Sequence, residues 1–274
     1  MAEVKINPPF GYGEIQALNR HDFVKLYEAG EVPAFAAKSQ VLPLTFSEFL
    51  VAAPQLPIVF IQSSGAQHLM PVVLTGLGGE QSLFTHSSSK AGKEKWHWDN
   101  QVYLPAYARR HPFCMSTIDN KTAEGDDLLV CVEKAHVADK ASNQHVQLFD
   151  GEKPSERWQL IEQFLQSYQA DINLTRQFTE KLQSLDLFYS LEANMTSSAN
   201  QAPMSVTGMF GINEEKLNQL DDAAIAELTR NGYLPRIYAH LQSLQNFQKL
   251  LNRFQENQIK VAMKQPKATA ELVN

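Results

Sequence analysis

The sequence predicts an α+β protein in which a mainly antiparallel sheet in the N-terminal half packs against a helical C-terminal half. Two observations lead there. Across residues 57–132, short runs rich in β-branched and aromatic residues alternate with Gly, Asn, Ser and Asp, as at Gly65, Gly78-Gly79 and Gly125-Asp126-Asp127. After Phe149-Asp150-Gly151 the apolar spacing changes to three and four residues, the helical period. A chain of 274 residues, 43% hydrophobic and 20% charged, is long enough to bury the core that such layers need.

In chain order, the first element with clear local logic is a helix start. Thr45-Phe46-Ser47-Glu48 reads as a capping box, with Leu44 and Phe49 in the staple positions and Pro54 as an early stop. Strands are expected at 58–61, 71–75, 82–84, 113–116 and 128–132. Beyond the turn at Gly151, Trp158, Ile161, Phe164, Leu165, Tyr168 and Ile172 share one helical face, which Phe178, Leu182 and Leu185 continue. Ser155 is the expected N-cap, and a break near Asn173 is allowed for. Residues 204–212 alternate as a strand. Asp221 caps a helix that Asn231-Gly232 stops, and a final helix is expected over 235–254. Since the late helices need the sheet to bury their apolar faces, we read residues 42–254 as one domain, sheet-rich to about 150 and helix-rich after it. Residues 1–41 are read as an N-terminal extension and 255–274 as a flexible tail.

Charge and hydropathy exclude several function classes. The net charge is −6 and no basic run offsets it, so no nucleic-acid partner is expected. The first nine residues lack a signal-peptide layout. The best apolar windows, 56–61 and 69–77, fall far short of the roughly 18 residues of a membrane span, so no membrane insertion is expected and a cytoplasmic location is inferred. Cys114 and Cys131 each lie in an apolar run and read as reduced thiols packed as small hydrophobes; a disulfide requires those runs to be adjacent.

The most unusual stretch is 96–113. Trp96, Trp98, Tyr103 and Tyr107 accompany Arg109, Arg110 and His111, a combination suited to an anionic or carboxylate-bearing group with stacking alongside. The alternative is structural, with the arginines paired to acidic residues of the helical half and the rings packed under a loop. For a metal, His97 with Asp99 and His111 are starting points, and His136, His145 or His240 would have to supply a further ligand. His-x-Asp alone is too weak a pattern, so neither a metal nor a cofactor is expected. Gly76-Leu77-Gly78-Gly79 lacks the context of a dinucleotide site, and Gly-x-Ser-x-Gly and Walker-type motifs are absent, leaving no recognisable catalytic constellation. Tyr238 and His240 lie in the last helical pattern, where a histidine is more often a satisfied core group than a functional one.

Leu-Pro-Ile-Val-Phe at 56–60, Val-Leu-Thr-Gly-Leu at 73–77, Tyr-Leu-Pro-Ala-Tyr-Ala-Arg-Arg-His-Pro-Phe at 103–113 and Gly-Tyr-Leu-Pro-Arg-Ile-Tyr-Ala-His-Leu at 232–241, with Leu148-Phe149-Asp150, resemble the SapC-like family of bacterial proteins over residues 42–253. Members are often labelled peptide-transport permeases, which the lack of an apolar span here contradicts. They tend to be encoded near flavin-dependent tryptophan-halogenase-like enzymes, cupin-like proteins and TonB-dependent receptors, and that company implies an accessory role. The resulting expectation is a non-catalytic accessory or binding protein that recognises a peptide, a metabolite or a partner enzyme such as a halogenase-like one. The binding group would comprise Trp96, Trp98, Tyr103, Tyr107, Arg109, Arg110, His111, Tyr238 and His240. The alternative is an unfamiliar, metal-dependent enzyme acting on a peptide or small metabolite.

Overall fold

The computed structural model describes residues 8–62, 68–79, 81–90, 93–117, 128–142, 144–195 and 204–264. The first part of the chain supplies β1 (Ile15–Ala17), β2 (Phe23–Lys25), β3 (Glu31–Val32), α1 (Ala34–Lys38) and β4 (Val41–Pro43). A 3-10 turn, Phe46–Glu48, leads into α2 (Phe49–Ala52). There follow β5 (Ile58–Gln62), β6 (Leu69–Leu74), β7 (Thr85–Lys90), β8 (Lys93–Trp98), α3 (Ala106–Arg109), β9 (Phe113–Thr117) and β10 (Leu128–Glu133). After the 3-10 turn Lys134–His136 come β11 (Val137–Ala138), β12 (His145–Gln147), β13 (Phe149–Asp150) and β14 (Lys153–Pro154). The helical half holds α4 (Glu156–Ser184), α5 (Glu214–Asn218), α6 (Asp222–Arg230), α7 (Tyr233–Ser243) and α8 (Asn246–Lys264), interrupted by β15 (Phe188–Met195) and β16 (Met204–Ile212).

The α+β reading holds, and every strand pairing among the described residues is antiparallel. The strands divide into several small sheets. The largest has the order β15-β16-β5-β6-β4, so the long hairpin of the helical half completes a sheet begun in the N-terminal half. Three further sheets have three strands each, in the orders β1-β10-β9, β11-β2-β12 and β3-β8-β7. Helix α7 lies against β5 and β16, while α4 packs along β6 and β9. Phe49, Ile58, Phe60, Phe178, Leu182 and Ile237 are fully buried in the resulting core.

Local signals explain most boundaries. The Ser155 hydroxyl accepts from Trp158 N–H and starts α4; Asp221 accepts from Ala224 N–H and starts α6. Gly232 adopts φ +69°, the left-handed conformation that ends α6, and a side chain there would be strained. Three expectations need correction. Residues 82–84 form a turn closed by Ser82, whose hydroxyl accepts from Phe84 N–H and whose carbonyl accepts from Thr85 Oγ1, so the strand begins only at Thr85. Helix α4 runs unbroken through Asn173. The expected last helix is two, because Ser243 and Asn246 turn their side chains to Ile58 N–H and the Ala53 carbonyl, anchoring the chain where α7 ends and α8 begins. Residues 265–274 of the expected tail lie outside the described residues.

Candidate functional site: a caged arginine beside a histidine-carboxylate cluster

The 103–111 segment is positioned by one buried carboxylate. Glu48 accepts from Thr45 N–H at 2.8 Å and Thr45 Oγ1 at 2.7 Å, fulfilling the capping-box expectation. Its other oxygen reaches across to Ala106 N–H at 2.6 Å and the Tyr103 hydroxyl at 2.9 Å. Burial, reinforced by Glu48, pushes Tyr103 up to about 12. Arg109 donates to the Tyr103 hydroxyl at 3.0 Å and to the Leu104 carbonyl at 3.1 Å.

Arg110, next along, points inward and is only 7% exposed. Its guanidinium carbon lies 4.4 Å from the Tyr107 ring centre, 4.8 Å from Tyr168 and 5.5 Å from Tyr12. The quadrupoles of these rings favour a cation over their faces. Two of the three rings are themselves fixed, Tyr12 donating to the Phe113 carbonyl and Tyr107 to the Phe10 carbonyl. Burial raises all three phenols above their ordinary range, so they stay neutral. Among the described residues no carboxylate forms an ion pair with Arg110, and its Nε is buried without a hydrogen-bond partner. Pairing of the two arginines with acids of the helical half is therefore not what holds them.

Two clefts meet at this side chain. One, of about 420 Å³, has mainly apolar walls including Leu44, Met70, Tyr107, Tyr168 and Ile172, with Arg110, Arg176 and His68 also on its lining. The other, of about 450 Å³, runs past Tyr27, Arg109, Arg110, His111 and Phe164.

Behind the second cleft, which Tyr27 and His111 line, these two residues join a titratable cluster. His111 follows α3, Glu133 ends β10, and His136 closes the 3-10 turn after it. Glu133 Oε2 lies 2.5 Å from His111 Nε2 and 3.9 Å from His136 Nε2, while Oε1 accepts from Gly13 N–H at 2.7 Å. The Tyr27 hydroxyl sits 3.0 Å from His111 Nδ1 and 3.3 Å from His136 Nε2. His136 Nδ1 donates to the Lys25 carbonyl at 2.8 Å. The hydrogen bond from His111 holds Glu133 below the usual carboxylate range despite partial burial, and burial holds His136 below the usual histidine range. His111, Glu133 and His136 can each direct one donor atom at a common point, the minimum for a metal site.

Of the residues singled out from sequence, Tyr103, Tyr107, Arg109, Arg110 and His111 come together here. The others lie elsewhere. Trp96 and Trp98 are on one face of β8 and are buried in the main core, Trp98 donating to the Val102 carbonyl. Tyr238 is exposed on α7. His240, fully buried, accepts from Ile212 N–H at 3.1 Å through Nε2 and donates from Nδ1 to the Ile58 carbonyl at 2.9 Å, pinning α7 to β16 and β5. Desolvation lowers it to about 4, so it is a neutral structural group. His97 stacks on His86 and bonds Ser88, whereas Asp99 accepts from Arg253, so these two do not share a site. Sequence reasoning missed Tyr12, Tyr168, Tyr27 and Glu133, which lie far from the Arg-Arg motif along the chain.

The two cysteines do lie opposite one another, Cys131 against Cys114 in the β10–β9 register, and both are free and buried. No helix among the described residues is long and apolar enough to cross a membrane. Neither a curated protein nor a solved structure matches the chain. The family model described as SapC matches residues 18–250, which include all the residues of the cluster and every ring of the arginine cage except Tyr12. This chain belongs to the SapC family.

Proposed function

We propose that this protein is a non-catalytic binding protein, accessory to another activity, whose ligand is a small anion with an apolar body: a metabolite carboxylate or the C-terminal end of a peptide. The observation that carries the reading is Arg110. Burying a cation costs several kcal/mol unless something compensates it. Here three neutral rings offset part of the cost and, among the described residues, no carboxylate supplies the rest. A carboxylate entering the apolar cleft would complete the site, its tail against Leu44, Met70 and Ile172. The SapC-like resemblance adds the expectation that the ligand is handed to, or sensed for, a partner enzyme of the halogenase-like kind.

The test is extraction of tagged wild-type protein and Arg110→Met from their native cells, with mass spectrometry of the small anions and proteins that accompany each. An apolar anion recovered with the wild type and absent from Arg110→Met supports the reading. Equal recovery from both would refute it. The second reading, a metal-dependent enzyme acting on a peptide or small metabolite, draws on the convergence of His111, Glu133 and His136.

A further inference from the structure

The hydrogen-bond accounting around Tyr27 does not close with neutral groups. His136 Nδ1 faces the Lys25 carbonyl, so its one proton sits there and Nε2 presents a lone pair. A neutral His111 facing the Glu133 carboxylate carries its proton on Nε2 and presents a lone pair at Nδ1. Both lone pairs face the Tyr27 hydroxyl, at 3.0 and 3.3 Å, and that hydroxyl has one proton to give. The described groups thus leave one imidazole lone pair without a donor, a place that a metal ion or a proton would fill.

We propose that His111, Glu133 and His136 form a mononuclear site for a divalent transition-metal ion such as Zn²⁺, bound through His111 Nε2, His136 Nε2 and Glu133 Oε2. With the ion in place, the His111 proton moves to Nδ1 and donates to the Tyr27 oxygen, so neither imidazole keeps an unanswered lone pair, and the Tyr27 O–H is released to another acceptor. Each donor then has its own outer partner: Tyr27 for His111, the Lys25 carbonyl for His136 and Gly13 N–H for the second oxygen of Glu133. That arrangement, in which the distal nitrogen of each imidazole is held by a second group, is the one that orients and strengthens histidine ligands. Ligands about 2.1 Å from a tetrahedral ion lie about 3.4 Å apart, and the present separations of 2.5 and 3.9 Å from Glu133 Oε2 bracket that spacing. Two imidazoles and one carboxylate favour zinc, iron or cobalt over calcium or magnesium. The proposal stands apart from the anion reading, because Arg110 supplies none of the ligands.

The test uses the full-length chain, freed of any histidine tag. Elemental analysis after dialysis, and titration of the apo protein with Co²⁺ followed in the visible spectrum, should give about one ion per chain with the absorption of a low-coordinate nitrogen-oxygen site. His136→Ala and Glu133→Gln should weaken Co²⁺ binding by at least the roughly 10–100-fold that loss of even an outer partner costs, while His97→Ala leaves it unchanged. A wild-type chain that holds no metal and shows no Co²⁺ bands would overturn the proposal and assign the place to a proton. Binding unaffected by either ligand variant would overturn it too. Should those variants not fold, protection of His136 in the wild type against diethyl pyrocarbonate by one equivalent of Zn²⁺ reads the same site, and no protection contradicts it.

Discussion

The Tyr107 ring lies 4.4 Å from the guanidinium carbon of Arg110, within a pocket where no described carboxylate answers the charge. A structural arginine in this position would add little net stability, since three rings at roughly 2 kcal/mol each when desolvated do no more than offset the several kcal/mol that burial of the ion costs. Arg110→Met should therefore change folding free energy by no more than about 1 kcal/mol in urea denaturation. A loss of several kcal/mol would make the cage a structural device.

Glu48 is the opposite case. Four donors converge on its carboxylate, from Thr45, Tyr103 and Ala106. Glu48→Gln replaces an acceptor by an amide N–H that meets other donors, and we expect a loss of about 2–4 kcal/mol. The same variant should also loosen the 103–111 segment, read as faster amide exchange at Ala106 than in the wild type.

His240 gives a pH dependence with a defined sign. Its folded-state value of about 4 lies below the ordinary 6.5, so the unfolded chain binds the proton first as pH falls. Its contribution is present above about 6.5 and is lost progressively between there and about 4, by on the order of 2–3 kcal/mol. Urea midpoints at pH 7.5 and 5 should differ in that direction. In His240→Gln that part of the slope should vanish.

Cys114 and Cys131 should be inert in the folded protein. Both are fully buried, and the hydrogen bond to Cys131 together with burial pushes the Cys114 thiol well above its ordinary range. Ellman's reagent should therefore detect neither thiol until denaturant is added. Rapid reaction of either in native buffer would contradict the packing.

The sequence read the fold class and most helix boundaries because those signals are local: Ser155, Asp221 and Gly232 act within a few residues of themselves. It also named half of the residues of the candidate site, since Tyr103 to His111 are contiguous. The remainder is long-range. Tyr12 and Tyr168 reach Arg110 from a loop before β1 and from the middle of α4, and Glu133 meets His111 only because β10 pairs with β9. His136 was visible as one of several histidines, with nothing local to select it. Trp96 and Trp98 misdirected attention for a legible reason: their i, i+2 spacing on a strand sends both rings to one face, here the core.

The central claim is that Arg110 recognises an anion with an apolar body, and isothermal titration calorimetry with decanoate tests it most directly. The wild type should bind one decanoate per chain, with affinity lowered about tenfold or more both for Arg110→Met and when decanol replaces decanoate. Equal binding of decanoate by wild type and Arg110→Met, or equal binding of decanol and decanoate, would contradict it.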